Sequence, residues 1–218
     1  MFTSQLVMNS IARMLPRFSM LRLLAVFAAL CAVCTPSLSA TEPLAVGAMI
    51  PDVTVLNAAS EPVKLRELVA TKPTVVIFYR GGWCPYCMRH LASLAQVEDK
   101  IVKAGFQLLA ISADQPSKLA ETPNREKLGY TLFSDDSMEA AKAFGIAFEV
   151  PNETVKKYKD NYKIDLEAAS GRTHHLLPHP SVFIVDTTGT VRFAHVNPDY
   201  KKRLTPDGII TAIQAVKK

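Results

Sequence analysis

Two cysteines separated by two residues lie where a buried strand is predicted to give way to a helix. They are Cys84 and Cys87, in the stretch "VVIFYRGGWCPYCMRHLASL". A disulfide that stabilises a fold normally joins distant parts of a chain, because its effect grows with the length of the loop that it closes. A pair this close can open and close a small ring without refolding the chain. The spacing therefore predicts redox chemistry rather than structural cross-linking.

The start of the helix distinguishes the two sulfurs. The N–H groups of a first helical turn have no partners inside the helix, and they favour a thiolate over a thiol. Cys84 is placed to receive that field, and Pro85 suits the first helical position, where its missing N–H costs nothing. We predict that Cys84 is the exposed attacking thiolate. We predict that Cys87, one turn later, is the more buried resolving thiol that forms the disulfide with it.

Several neighbours of the pair have side chains that could support it. Arg80 has two open roles: it stabilises a thiolate or a peroxide oxygen, or it caps the sheet edge and reaches solvent. Gly81 and Gly82 predict a sharp turn at the end of the strand. Trp83 is interpreted as a docking surface beside the pair, with an aromatic lid on the core as the alternative. His90 is predicted to be a solvated helix residue.

The elements that position these residues follow an α/β pattern. Short apolar runs rich in β-branched residues alternate with longer helical patterns, which is typical of βαβ units. Central strands are predicted over residues 74–79 and 106–114. One helix is predicted from the cysteine motif to Gly105, and another from Pro116 to about Lys127. These elements predict a central sheet flanked by helices.

The last third of the chain predicts an antiparallel edge to that sheet. The strands 181–186 and 190–196 are joined by a short turn, which indicates a hairpin and makes the sheet mixed. A closing helix is predicted over 206–216. Residues 149–178 are predicted to be a helical insertion, with a helix that begins near Asn152 as its N-cap.

The first 40 residues are typical of a targeting sequence. Three arginines precede an apolar run from Leu23 to Cys34, and no acidic residue occurs before Glu42. The run is shorter than the roughly twenty residues of a spanning helix, which favours a cleavable secretory signal. We predict a removed signal peptide over 1–40, one domain over 41–218, and a periplasmic or extracellular location. A mitochondrial presequence is the alternative.

Removal of that segment changes how the charge is interpreted. The whole chain has 25 Lys and Arg against 20 Asp and Glu. Because the three arginines of residues 1–40 leave with the signal, the remainder has a net charge of only +2. The composition does not indicate a nucleic-acid partner.

The order of elements and motifs resembles the thioredoxin-like superfamily. The order is a strand, "WCPYC", a helix, a strand, and then Pro180 directly before "SVFIVDTTGTV". In that superfamily a cis proline packs beside the C-x-x-C motif. The resemblance therefore implies that Pro180 supports the active site and that its peptide bond is cis. The alternative is an ordinary trans proline at a strand entry.

The wider chain resembles the peroxiredoxin-like branch of AhpC/TSA type. The similar segments are "GAMIPDVTVLNAASEPVKLREL", "LFSDDSMEAAKAFGI", and "AFEVPNETVKKYKDNYKIDL", the last resembling the insertion of a C-x-x-C-containing subfamily. Typical members carry Pro and Thr or Ser seven and three residues before the peroxidatic cysteine. Aligning Cys87 puts Arg80 and Cys84 there, and aligning Cys84 puts Ile77 and Gly81 there. Neither alignment keeps the pair.

The resemblance implies a thiol-dependent oxidoreductase. Its dithiol would reduce hydroperoxides or partner disulfides, with electrons from a thioredoxin-like donor and without a metal, flavin or nicotinamide. Pure thiol–disulfide exchange is one alternative. A second is copper delivery, because Sco-type copper chaperones are also peroxiredoxin-like and bind copper through two cysteines and a distant histidine. The candidate histidines are His174, His175 and His179, and thiolates with an imidazole suit Cu(I).

Overall fold

A computed structural model of the chain describes residues 42–217. Its central feature is a seven-stranded sheet with strand order β2-β1-β5-β4-β3-β8-β9. These strands are β1 (Thr54–Leu56), β2 (Pro62–Lys64), β3 (Thr74–Tyr79), β4 (Gln107–Ser112), β5 (Thr131–Ser134), β8 (Ser181–Val185) and β9 (Val191–Val196). The remaining two strands, β6 (Ala147–Glu149) and β7 (Leu176–Pro178), form a separate antiparallel pair.

The sheet is mixed, as the sequence predicts. Strand β4 pairs in parallel with both β3 and β5, whereas β8 runs antiparallel to β3 and to β9. The helices around the sheets are α1 (Leu65–Thr71), α2 (Pro85–Ala95), α3 (Glu98–Lys103), α4 (Pro116–Ala120), α5 (Glu139–Ala143), α6 (Asn152–Tyr162), α7 (Leu166–Ser170) and α8 (Pro206–Val216). The predicted α/β class, the hairpin and the closing helix are confirmed.

Strand β3 is buried on both faces because a core packs against each side of the sheet. All six of its residues are buried. Alternate side chains enter different cores, as the period of two in a strand requires. Val76 and Phe78 join the core that α5 contributes to, whereas Ile77 and Tyr79 join the core that contains both cysteines and residues of α8. The dithiol therefore belongs to one of two cores.

The helix predicted to run from the cysteine motif to Gly105 is divided in two. It is interrupted between α2 and α3 by a tight turn, in which the N–H of Val97 donates to the carbonyl of Leu94 (3.0 Å). Leu94, Val97 and Ile101 are all buried despite this interruption. The predicted stop is confirmed, since Gly105 has a φ of 89°.

The helix predicted from Pro116 to about Lys127 is also shorter in the structure. Helix α4 ends at Ala120, and a 3-10 turn follows over Arg125–Lys127. Between them Asn124 adopts a left-handed conformation with a φ of 55°. Pro123 lacks an N–H for the helical ladder, so the chain cannot continue as one helix.

The insertion is helical, but its predicted N-cap is wrong. Asn152 is the first residue of α6, and Pro151 occupies the cap position. The carbonyl of Pro151 accepts from the N–H groups of Thr154 and Val155. The helix therefore begins one residue earlier than the Asn side chain indicated.

The predicted cis bond before Pro180 is also wrong, since no peptide bond within residues 42–217 is cis. The chain approaches β8 in an extended course, with β7 paired to β6 and the N–H of His179 donating to Ile146 (2.7 Å). An extended approach needs no cis bond, and trans is the preferred isomer even before proline. Pro180 is buried at the entry to β8, which is the alternative stated above.

Within residues 42–217, no helix has the length and apolar character needed to cross a membrane. The predicted signal peptide over 1–40 lies outside the described residues.

Candidate active site

The two cysteines lie at the junction of β3 and α2, where the sequence placed them. Cys84 is the N-cap of α2 and Pro85 its first residue. Both cysteines are free thiols. The predicted exposure of Cys84 is wrong, since it is only 2% exposed and Cys87 is 1% exposed. Trp83 and Tyr86 pack against the core that contains the pair, so the residues flanking Cys84 also cover it.

Cys84 is nevertheless the sulfur that ionises more readily. Its pKa is lowered from 9.0 to about 6. The largest cause is a hydrogen bond with the side chain of Cys87, followed by the backbone of Cys87 and the positive charges of Arg80 and Arg203; burial opposes these effects. A thiolate at Cys84 is therefore the favoured ionised form near neutral pH.

Cys87 is held in the opposite state. Burial raises the pKa of the Cys87 thiol well above its ordinary value, and the neighbouring Cys84 raises it further. Two groups oppose this: Nη2 of Arg203 donates to Sγ of Cys87 at 3.4 Å, and the backbone of Arg80 provides a further hydrogen bond. Arg203 also lowers the pKa of both thiols through its charge. The pair therefore shares one proton, which resides on Cys87.

Arg80 does not reach solvent, which decides between its two open roles. It is 3% exposed, and its guanidinium donates to the hydroxyl of Tyr158 at 2.7 Å. The guanidinium carbon lies 5.0 Å from the ring centroid of Trp83 and 4.5 Å from that of Tyr200. Such stacking holds a cation in place when it is removed from water. Arg80 thus supports the Cys84 thiolate as a fixed buried charge.

A buried carboxyl group connects β4 to the turn before Cys84. Oδ2 of Asp114 accepts from the N–H of Gly82 at 2.6 Å, and the residue is 2% exposed. Burial raises the pKa of Asp114 to about 6, and the charge of Cys84 raises it too. A methyl group at Gly81 would collide with Oδ1 of Asp114 (2.6 Å), so the predicted turn does require glycine. Asp114, Gly82 and Trp83 line one side of a cavity of about 350 Å³.

His90 is buried rather than solvated, which overturns its prediction. It is 8% exposed, and its Nε2 lies 3.0 Å from the carbonyl oxygen of Leu204, to which it donates. Burial lowers the pKa of His90 to about 4, so the ring is neutral. Its role is to hold residues 197–205, the loop after β9, against helix α2. We call this segment the 197–205 loop.

Trp83 packs against the interior of the protein and not only beside the cysteine pair. It is partly buried and packs against both cores. Its ring lies 6.2 Å from that of Tyr158. The side chain therefore acts as the aromatic lid that was the alternative, while its partial exposure leaves an outer edge accessible.

The three candidate copper histidines have other partners. Both ring nitrogens of His174 are hydrogen-bonded to backbone groups, and Nε2 of His175 lies 2.9 Å from Oε1 of Glu167. The ring of His179 stacks on Phe148 with 4.4 Å between centroids. Over residues 42–217, no three His, Cys, Asp or Glu side chains are grouped as metal ligands would be. His174 and His175 are therefore engaged by other groups of the protein, which does not support the copper alternative.

Sequence reasoning missed four members of the site: Asp114, Tyr158, Tyr200 and Arg203. A signal existed for the first, because Asp114 ends a predicted central strand, and the carboxyl ends of parallel strands meet at one edge of a sheet. Arg203 contacts Cys87, whereas Tyr158 and Tyr200 contact Arg80. Nothing in the local sequence of α6 or of the 197–205 loop indicates these contacts.

Comparisons with known proteins give a family match and several similar chains. A family model described as "AhpC/TSA family" matches residues 46–194. The chain is similar to peroxiredoxin Bcp of Escherichia coli K12, with 27% identity over 160 residues that cover 73% of this chain and 89% of that protein. It is also similar to chloroplastic peroxiredoxin Q of Gentiana triflora, with 24% identity over 151 residues, or 69% of this chain and 58% of that one.

Solved structures show the same fold. Reduced Prx3 from Vibrio vulnificus superposes with a TM-score of 0.64 at 16% identity, covering 78% of this chain and 99% of that one. BcpB from Mycobacterium tuberculosis superposes with a TM-score of 0.60 at 18% identity, covering 79% and 96%. At this identity the likeness concerns the fold alone, and it confirms the predicted α/β architecture with a central mixed sheet.

Proposed function

Because this chain belongs to the AhpC/TSA family and is a thiol-dependent oxidoreductase, we propose that its Cys84–Cys87 pair cycles between dithiol and disulfide. The substrates are hydroperoxides or the disulfides of partner proteins, and a thioredoxin-like protein returns the electrons. The chain is further proposed to belong to the C-x-x-C-containing branch of the family.

The observation that carries this proposal is a pair of free thiols at the N-terminus of α2 whose pKa values are shifted in opposite directions. Cys84 has a lowered pKa, Cys87 has a raised one, and a hydrogen bond between them accounts for much of the difference. A stable structural pair would need no such asymmetry. A redox pair needs one thiolate to attack and one neighbouring thiol to resolve.

With a hydroperoxide, the Cys84 thiolate attacks the terminal peroxide oxygen and the O–O bond breaks. The products are a sulfenic acid on Cys84 and an alkoxide or hydroxide, which takes a proton to become an alcohol or water. The Cys87 thiol then attacks the sulfenic sulfur. The S–S bond forms and one water molecule leaves, so two electrons have passed to the peroxide.

With a protein disulfide, the same thiolate attacks one sulfur of the substrate and forms a mixed disulfide, while the substrate's S–S bond breaks and its other sulfur leaves as a thiolate. Cys87 attacks the Cys84 sulfur next and releases the reduced partner. This route does not require the Pro and Thr that typical peroxiredoxins carry before the peroxidatic cysteine. Pure thiol–disulfide exchange therefore stays as the second candidate function, because those positions hold Arg80 and Cys84 here when Cys87 is aligned.

Stopped-flow oxidation of the reduced protein by hydrogen peroxide tests the peroxidase route. Trp83 is the single tryptophan of the chain and borders the pair, so its fluorescence reports the reaction. The variants Cys84→Ser and Cys87→Ser accompany the wild-type protein. We expect rapid oxidation in Cys87→Ser that stops at a sulfenic acid, and none in Cys84→Ser.

The reverse pattern would assign the attack to Cys87. Oxidation no faster than that of a free thiol would reject the peroxidase route and leave disulfide exchange. An insulin-type reduction assay then measures that second activity directly.

We also propose that the chain is exported and loses residues 1–40. The support is the sequence pattern of three arginines followed by an apolar run without acidic residues. Fractionation of expressing cells with N-terminal sequencing of the mature protein tests it. An intact N-terminus in the cytoplasm would contradict export.

A further inference from the structure

A basic and aromatic surface surrounds the start of α2. It consists of Tyr86 and Arg89 on α2 and of Tyr200, Lys201 and Lys202 on the 197–205 loop, and we call it the basic rim. All three cations are exposed, and both tyrosines are partly exposed. Tyr86 follows Cys84 by two residues. On the loop side, the residue after Lys202 is the arginine that donates to Cys87.

Contacts between aromatic rings and cations hold the side chains of this rim in one arrangement. The rings of Tyr86 and Tyr200 meet edge to face, with 5.6 Å between centroids. The guanidinium carbon of Arg89 lies 4.6 Å from the ring centroid of Tyr86. Nζ of Lys201 lies 5.8 Å from the ring centroid of Tyr200. The guanidinium carbon of the buried Arg80 lies 4.5 Å from the ring centroid of Tyr200. Rigid tyrosines with adjacent arginine are the residue types that dominate binding energy at protein interfaces.

The positive charge of the chain is concentrated at this rim. Residues 85–90 and 197–203 together hold four basic residues, which are the three exposed cations of the rim and the half-buried Arg203. The one acidic residue of these segments, Asp199, lies 4.0 Å from Lys202. Residues 41–218 as a whole have a net charge of only +2, so the rest of the surface is close to neutral. A local excess of one sign beside a reactive group raises the encounter rate with partners of the opposite sign.

We propose that the basic rim is the docking surface of the electron-donor protein, and that this donor carries carboxylates around its own dithiol. The inference rests on the proposed function, because a donor is needed only if the disulfide forms. A protein donor has to bring its sulfur to Cys84, and the rim lies beside it at the start of α2. The excess of three charges is small for a nucleic-acid surface.

The reaction at this surface is a two-electron exchange. A donor thiolate attacks the Cys84 sulfur, the Cys84–Cys87 bond breaks, and Cys87 leaves as a thiolate that Arg203 stabilises before it takes a proton. The second donor thiol then gives up its proton and attacks the donor sulfur of the mixed disulfide. Cys84 leaves as a thiolate, and the donor becomes a disulfide.

The test measures the reduction of the diamide-oxidised protein by two reductants, followed by Trp83 fluorescence. One is a purified thioredoxin with carboxylates beside its dithiol, and the other is dithiothreitol, which is small and uncharged. The variants are Arg89→Glu and the double change Lys201→Glu with Lys202→Glu. The matched control changes Lys64 and Lys142 to Glu, since both are exposed and lie on β2 and α5 towards the other edge of the sheet.

We expect the second-order rate constant with thioredoxin to fall about tenfold in the rim variants, whereas the rate with dithiothreitol is unchanged. The control should keep the wild-type rate with both. An unchanged rate with thioredoxin, an equal loss with both reductants, or an equal loss in the control would each overturn the docking surface. A protein that forms no reducible disulfide at all would instead reject the proposed function.

Discussion

At the scale of single residues, two cysteines have different tasks because their surroundings differ. Cys84 and Cys87 are both almost fully buried, yet the pKa of one is lowered and that of the other is raised. The pKa of Cys87 is raised chiefly by burial, whereas that of Cys84 is lowered chiefly by the hydrogen bond with Cys87 and further by the charge of Arg80. The greater exposure of Cys84 that the sequence argument invoked is absent, because both side chains are almost fully buried.

The rate of Cys84 alkylation should follow its lowered pKa. We expect the rate with iodoacetamide to rise through about pH 6 and to level off above it, because only the thiolate reacts. A thiol at its ordinary pKa of 9.0 would still gain reactivity at pH 8. Mass spectrometry of the alkylated peptide measures the rate.

Substitutions of Cys87 test why the alkylation rate of Cys84 has its midpoint at such a low pH. Cys87→Ala removes the hydrogen bond and should move the midpoint upward, whereas Cys87→Ser keeps a donor and should lie between. A midpoint that Cys87→Ala leaves in place would assign the effect to the arginines instead.

Arg203 should matter most when Cys87 leaves as a thiolate. Without its donation at 3.4 Å, we expect Arg203→Ala to raise the pKa of Cys87 and to slow reduction of the disulfide by dithiothreitol about three- to tenfold. Arg203→Lys, which keeps the charge, should restore part of the rate. Alkylation of Cys87 against pH in a Cys84→Ser background measures the pKa change.

The neighbouring Lys202→Ala is the matched control, since that side chain is 74% exposed. If the Arg203→Ala variant were reduced by dithiothreitol at the wild-type rate, Arg203 would have no role in this reaction.

At the scale of elements, the site is assembled from parts that are distant in the chain. Strand β3 and helix α2 supply the dithiol, and Arg80 directly follows β3. Helix α6 contributes the tyrosine that binds Arg80, and the 197–205 loop contributes Arg203. The hydrogen bond from Arg80 to Tyr158 spans 78 residues, and that from Arg203 to Cys87 spans 116. The insertion is therefore part of the active site and not an addition to its edge.

The hydroxyl of Tyr158 connects α6 to the site through Arg80. Tyr158→Phe leaves a buried guanidinium N–H without a partner, so we expect unfolding free energy to fall by about 1–2 kcal/mol. The alkylation midpoint of Cys84 should also move upward as Arg80 becomes less fixed. Urea unfolding and the alkylation assay measure these two effects.

Tyr162→Phe on the same helix is the control, because Tyr162 is 58% exposed. If both variants behaved alike, α6 would have no specific connection to the dithiol.

At the scale of the whole molecule, the sheet separates a core that carries the chemistry from one that does not. Alternate residues of β3 enter each core, so adjacent positions can be changed independently. Phe78 packs in the core on the other side of the sheet from the cysteines, with Phe144 at 5.0 Å between centroids. Ile77 packs in the core that contains both cysteines.

Truncation in the two cores should therefore separate stability from reactivity. We expect Phe78→Ala to lower the unfolding free energy by about 3–5 kcal/mol and Ile77→Ala by about 2–5 kcal/mol. Only Ile77→Ala should change the pH dependence of Cys84 alkylation at a temperature where both variants are folded. Urea unfolding and alkylation on the same samples measure both. An altered midpoint in Phe78→Ala would show that the two cores are coupled.

The sequence by itself determined the features that depend on neighbours along the chain. The spacing of Cys84 and Cys87, the proline at the helix start and the alternation of strands and helices all act within a turn or a strand. They were enough for the α/β class, the hairpin and the dithiol. The helix ends near Pro123 and Val97 were missed because local turn geometry overrode a continuous pattern.

Only the tertiary structure decided which groups surround the sulfurs. The burial of Cys84, the neutral buried His90 and the arginine beside Cys87 all depend on contacts between elements, such as the bond between His90 and Leu204 across 114 residues. The structure also decided between the cis and the trans form of the bond before Pro180, which the local sequence left open. Such contacts arise when separate elements pack together, and no periodicity within one element records them.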